Sequence, residues 1–314
     1  MSTLQKEMTV ATKRSPLSRR TGDILFSGTL MLPAVLLTVG FILIPVVDSV
    51  IKSFLDYKVK NIISGKPGTW NNFSNYVKLF QNDKLLPAIA ATFAFVAFVV
   101  ALQFILGMSL ALILNSNMKC TRFLRSIMMI PWVVPTVISA LVWMWMFQPQ
   151  YGLLKFLVSV VSGGRITEFA ILNNPDTALL GISVAALWKQ IPLTTLLLLA
   201  GLQNVPDDML EAATVDGAGP VRKFFSIVMP YMKSVIKVAM SMAIIENFKQ
   251  FPLFWTMTGG GPENSTTTLA ILSYREAFVA NNLGSGAAVT TVWMLLMIIV
   301  IFFYNRIMGT SNVD

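Results

Sequence analysis

The sequence predicts an all-α integral membrane protein, a six-transmembrane helix bundle. Three observations carry that expectation. Only 12% of the 314 residues are charged and 55% are hydrophobic, about half the charge expected of a water-soluble domain. Mean hydropathy is +0.68. Several stretches are also apolar and long enough to cross a bilayer, which takes about 20 helical residues.

The spans follow in order. Residues 24–47 are mostly apolar, interrupted by Gly40 and the helix-perturbing Pro33 and Pro45. This stretch exceeds the roughly 7–15 residues of a signal-peptide core, and no small-residue cleavage site follows it, so it is expected to remain as a span. Residues 86–114 and 127–147 carry no charge, and residues 178–202 carry only Lys189. Residues 231–255 hold Lys233, Lys237, Glu246 and Lys249, so hydropathy alone rejects them. Two features restore this stretch as the fifth span. Lys233 and Lys237 lie near its start, where long side chains snorkel to the interface. Glu246 and Lys249 are three apart on one helical face, and a bundle interior tolerates such a pair better than lipid does. Residues 287–304 form the sixth span.

Orientation follows from Lys and Arg, which favour the cytoplasmic side. The tail 1–23 carries Lys6, Lys13, Arg14, Arg19 and Arg20. The loop after the second span has Lys119, Arg122 and Arg125, and the segment after the fourth has Arg222 and Lys223. Arg306 follows the sixth span, ahead of a short tail over 307–314. Both termini and these loops are therefore expected in the cytoplasm. The external loop then holds Lys52, Lys58, Lys60, Lys66, Lys78 and Lys84, which runs against the trend. The net charge of +9 is assigned to basic segments at an anionic membrane face rather than to nucleic acid.

Several chemistries are excluded. There is no histidine, which removes the usual general base and the commonest metal ligand. The single cysteine, Cys120, permits neither an internal disulfide nor a cysteine-based zinc site. Gly259–Gly261 lacks the following Lys and Ser/Thr of a phosphate-binding loop. No catalytic or metal-binding residues are expected.

The informative segment is the loop 204–230. Pro206 suits a helix start, and Asp207 and Asp208 complement its positive end. Gly217 and Gly219 are expected to break that helix. Pro220 opens a second short helix through Phe225, and Pro230 is expected to begin the fifth span. Glu211-Ala212-Ala213, then Gly217, Ile227 and Met229-Pro230 at fixed spacing, resemble the EAA loop of ABC importer permeases. Asn72-Phe73-Ser74-Asn75-Tyr76, Pro131-Trp132-Val133-Val134-Pro135 and Thr258-Gly259-Gly260-Gly261-Pro262 are similar to stretches of the carbohydrate branch, the maltose and glycerol-phosphate type. The resemblance covers about residues 24–306.

That resemblance implies the six-helix fold of a type I importer permease and no enzyme activity in this chain. It implies a heterodimer with a second permease, two cytoplasmic ATPase subunits that bind the ATP and Mg²⁺, an external solute-binding protein, and residence in the cell membrane. No cofactor is expected on this chain itself. Glu211, Ala212, Ala213, Gly217, Ile227 and Pro230 become the ATPase-coupling residues, and the transported solute a sugar, oligosaccharide or sugar derivative. The alternative class is a stand-alone secondary transporter.

The residues themselves offer candidates for the path: Trp143, Lys189, Glu246, Phe248, Lys249, Phe251 and Trp255. Lys189 either lines the path or pairs with Glu246. Glu246 and Lys249 are expected to face the bundle interior. Phe248, Phe251 and Trp255 recur at helical spacing, which predicts one shared face, whether or not it lines the path.

Overall fold

A computed structural model describes residues 16–116, 120–165 and 169–309. Lys6, Lys13, Arg14, Lys119 and the end of the C-terminal tail lie outside the described residues. The chain divides into two compact units, one ending at Ile51 and one beginning at Lys52.

The first unit is the first span. Its apolar helix Phe26–Ser53 is long and apolar enough to cross a bilayer. A wide turn covers Val39–Leu43, where the amide of Ile44 bonds the carbonyl of Val39. It stands just ahead of Pro45, which has no amide to donate.

In the second unit, helices Leu85–Asn115, Pro175–Leu202 and Leu283–Met308 form the second, fourth and sixth spans. The fourth is the most enclosed, with 56% of its window buried against 33% and 22% for the other two. It packs along the second span, and Gly107 permits the close approach to Thr194. The fourth and sixth begin ahead of their apolar stretches where a polar residue caps them: Asn174 accepts from the amide of Asp176, and Asn282 from that of Ser285.

The third and fifth spans are not straight. In the third, Thr121–Val133 and Thr136–Met146 meet at 93°. Pro131 and Pro135 remove amides from this stretch, so the helix stops at Val133 and restarts at Thr136. In the fifth, Pro220–Tyr231 and Lys233–Phe248 meet at 74°. The stretch expected over 231–255 therefore spans only Lys233–Phe248, followed by a separate short helix, Pro252–Met257. Pro230 does not open the span; it lies inside the preceding arm, within Met229–Tyr231.

Three apolar clusters hold the unit together. Met108, Leu114, Leu198, Leu202, Val205, Val228, Met232 and Ile236 pack at the end that carries the loop 204–230. Phe95, Val99, Trp143, Ile182, Ala186, Phe248 and Phe254 form the second cluster, and Leu79, Leu85, Leu269, Leu272 and Val289 the third. Near the third cluster, short strands Leu55–Asp56 and Thr69–Trp70 pair antiparallel. Asn75, from the Asn72–Tyr76 motif, donates to the carbonyls of Ser53 and Leu55.

Candidate functional site: a bent loop and a polar cavity

Asp207–Val215 folds as a helix with Pro206 at its N-cap and both aspartates in the first turn, where they meet the positive end of the helix dipole. The helix stops because Gly217 takes φ +77°. The amide of Gly217 bonds the carbonyl of Thr214, and the amide of Ala218 reaches back to Ala213, at 3.0 and 2.9 Å. This pairing closes a helix C-terminus around a left-handed residue, which glycine adopts without cost to a side chain. Lys223 Nζ then donates to Thr214 Oγ1 at 2.9 Å, tying the second arm to the first.

The loop residues divide into two sets. Ala213 is buried, while Glu211 and Ala212 are exposed. Val205, Val228 and Met232 anchor the loop in the cluster at the ends of the second and fourth spans. Val215, Val221 and Phe225 turn the other way, 89%, 71% and 64% exposed. Ile227 is half-buried, and Pro230 borders an apolar groove with Phe104, Ile236 and Met240. The bent loop thus presents a charged and apolar outer surface on an anchored base.

The second, fourth and fifth spans bring side-chain amides together. Asn247, 2% exposed, donates to Gln190 Oε1 at 2.9 Å, to Gln103 Oε1 at 3.3 Å and to its own helix at Ala243. Its Oδ1 accepts from Gln190 Nε2 at 3.1 Å. Gln103 Nε2 donates to Thr194 Oγ1. Gln103, Gln190 and Thr194 also line a cavity of about 380 Å³, joined by Trp132, Thr136, Lys189, Glu246 and Gln250. These amides and hydroxyls both donate and accept, so they suit a solute rich in hydroxyl groups. Sequence reasoning did not single out Gln103, Gln190 or Asn247. The available signal was an amide within an expected span: Gln103 is the one amide in its uncharged run, whereas Gln190 and Asn247 stand beside Lys189 and Glu246.

The expected path residues fare unequally. Lys189 reaches the cavity but does not pair with Glu246; its Nζ donates to the carbonyls of Trp132 and Val134. Glu246 and Lys249 do pair, at 2.7 Å, but their side chains are 58% and 52% exposed rather than interior. The helix ends at Phe248 with Lys249 as its C-cap, and the inward position on this turn belongs to Asn247. Glu246 still borders the cavity. Trp143 is buried against Phe147 and Trp188.

Phe248 is buried edge-to-face on Phe93. The break over Lys249–Phe251 separates it from the other two aromatics, so the expected shared face does not form. Phe251 and Trp255 instead stack on each other at 5.8 Å and meet Tyr274. The glycine loop beside them is held by Arg275, which donates to Gly259 O at 2.7 Å and Asn264 Oδ1 at 2.6 Å. Thr267 Oγ1 bonds Gly260 O at 3.0 Å. The loop is thus an internally tied turn.

A cavity between the helices with amides and hydroxyls in its wall, together with an anchored, exposed bent loop, suits the membrane subunit of a transporter. Comparison with known proteins gives the family. The model of the binding-protein-dependent transport system inner membrane component family matches residues 103–310. The trehalose/maltose transport system permease protein MalF of Thermococcus litoralis is 34% identical, over 83% of this chain and 86% of its own. The sulfoquinovosyl glycerol transport system permease protein SmoG of Agrobacterium fabrum is 32% identical, over 93% and 92%. The sn-glycerol-3-phosphate transport system permease protein UgpA of Yersinia pestis is 32% identical, over 82% and 85%. A bacterial ABC transporter involved in the import of the acidic polysaccharide alginate has the same fold, with TM-score 0.77 at 18% identity over 95% of this chain and 100% of that one.

The chain belongs to the binding-protein-dependent transport system inner membrane component family. It is a multi-pass permease subunit, which decides against the stand-alone secondary transporter.

Proposed function

We propose that this chain carries a sugar or sugar derivative across the cell membrane as one half of a permease heterodimer. Two cytoplasmic ATPase subunits bind ATP and Mg²⁺ and dock on the loop 204–230. An external binding protein delivers the solute to the opposite end. In this reading both termini and the loop are cytoplasmic, consistent with the basic residues Arg122, Arg125, Arg222, Lys223 and Arg306.

The observation that carries the reading is the exposed outer surface of the bent loop. Val215, Val221 and Phe225 cost hydrophobic free energy in water, and Glu211 stands on the same short helix. A partner that covers them recovers that burial and gains a charge to recognise. Glu211, Ala212, Ala213 and Gly217 then act as one unit: Gly217 sets the bend, Ala213 seats the helix, and Glu211 and Ala212 face the partner. The amide-lined cavity supports a hydroxyl-rich solute, in keeping with the sugars and glycerol derivatives in the names of the relatives.

The test uses the chain with its partners in membrane vesicles. Glu211→Lys is expected to abolish ATP-driven uptake while the chain stays inserted. A cysteine at Val215, in a Cys120→Ser background, is expected to cross-link to an ATPase subunit. Normal uptake with Glu211→Lys, together with no cross-link, refutes the coupling role. Competition among a disaccharide, a glycosyl glycerol and glycerol phosphate identifies the solute.

A further inference from the structure

The break in the third span leaves two carbonyls without their helical donors. In a continuous helix the carbonyl of Trp132 would accept from the amide of Thr136, and that of Val134 from the amide of Ile138. The 93° bend takes both amides away. Both carbonyls accept instead from the Nζ of Lys189, which reaches across from the fourth span. Irregular backbone at membrane depth persists only where its polar groups are satisfied again by protein or by a wet cavity. A cation also suits the negative end of the short helix Ile130–Val133.

We propose that Lys189 is a positioning residue for transport: its ammonium replaces the two lost amides and holds the third span bent. The bend in turn sets where Trp132 and Thr136 stand in the cavity wall. This role accounts for a lysine in the most enclosed span, whose neighbour across the cavity, Glu246, is already engaged by Lys249. It rests on the permease reading for its bearing on uptake, whereas the geometry of the bend can be measured independently.

The experiment places spin labels on cysteines at Ser126 and Trp145 in a Cys120→Ser background of the assembled transporter. At 1.5 Å per residue the two arms are about 12 and 16 Å long. The labelled backbones then stand about 20 Å apart when bent at a right angle and about 28 Å apart when straight. With Lys189 present the shorter distance is expected.

Lys189→Met keeps the length of the side chain and removes its donors. The distance should shift toward the longer value, and uptake should fall by about tenfold or more, as when a substrate wall is misplaced. Lys189→Arg, which keeps donors, should hold the short distance and retain most of the uptake. A short, unbroadened distance in Lys189→Met overturns the proposal.

If Lys189→Met alone does not accumulate, adding Pro135→Ala should restore accumulation with the long distance, because a continuous helix feeds those carbonyls from its own amides. Failure of that rescue also overturns the proposal. Loss of uptake with Lys189 intact and all partners present would count against the permease reading instead, and would leave the distances unchanged.

Discussion

Asn247 does not line the cavity; it stands behind Gln103 and Gln190, which do, and fixes them through three hydrogen bonds between helices. Asn247→Leu keeps the volume and removes all three. Interhelical hydrogen bonds inside membranes average roughly 0.6 kcal/mol, so the loss should be about 2 kcal/mol, a factor of roughly 30 in the folding equilibrium. The effect should be uneven. Gln103 keeps Thr194 as a partner, whereas the bonds Gln190 makes to Asn247 are both lost.

Gln190→Leu in the same chain removes the stranded amide, so the double variant should cost about 1 kcal/mol less than the sum of the singles. The assay is reversible unfolding of the purified complex in mixed micelles, run as a double-mutant cycle, with uptake measured in parallel. Uptake by Asn247→Leu should show a raised KM, because the cavity amides lose their orientation. Additive costs, or a single variant as stable as the parent with unchanged KM, would refute the reasoning.

Other outcomes are expected elsewhere. Gly217→Ala forces a β-carbon into φ +77° at about 1–2 kcal/mol, and should lower uptake without lowering solute delivery by the binding protein; unchanged uptake would refute it. Glu246→Gln and the double change with Lys249→Gln should leave stability within about 0.5 kcal/mol of each other, since exposed pairs contribute little; a severe loss confined to the single variant would show a desolvated charge instead. A β-carbon at Gly201 would lie 2.9 Å from Val235 Cγ1 and 3.0 Å from Met232 Cε, so Gly201→Ala should destabilise by about 1–3 kcal/mol, read as an earlier thermal unfolding midpoint.

How much of this was legible in the sequence depended on the range of the interaction. The second, fourth and sixth spans were visible because their apolar runs are continuous. The starts of the fourth and sixth were not, because Asn174 and Asn282 extend those helices with polar caps that hydropathy counts against them. The uncharged run 127–147 reads as one span, although Pro131 and Pro135 lie in it. A right-angle bend, however, depends on donors from Lys189, more than fifty positions away, which no local pattern reveals. The Glu246 side chain was assigned inward by the cost of exposing a charge. The neighbouring Asn247 holds that interior place through a contact with Gln103, 144 residues earlier, and the helix ends at Phe248. The start and bend of the loop 204–230 were legible because their determinants are local: a proline start and a left-handed glycine. The second arm required the structure: it runs to Tyr231 rather than ending at Phe225, with a wide turn over Phe224–Val228, and so takes in Pro230.

The bent fifth span amounts to a bell crank. One arm, Pro220–Tyr231, runs along the face where the ATPases are proposed to act. The other, Lys233–Phe248, ends at the amide cluster, and the 74° corner between them falls at Met232. Met232 is 1% exposed and beds beside Gly201, whose missing side chain leaves the seat in which the corner turns. At 1.5 Å per residue the arms measure about 18 and 24 Å. Turned as one body about that corner, such a crank delivers about a third more travel at Phe248 than it receives at Pro220, and redirects a push across the membrane face into sideways motion of the inner arm. A side chain at Gly201 would jam the bearing while leaving both ends of the lever chemically intact.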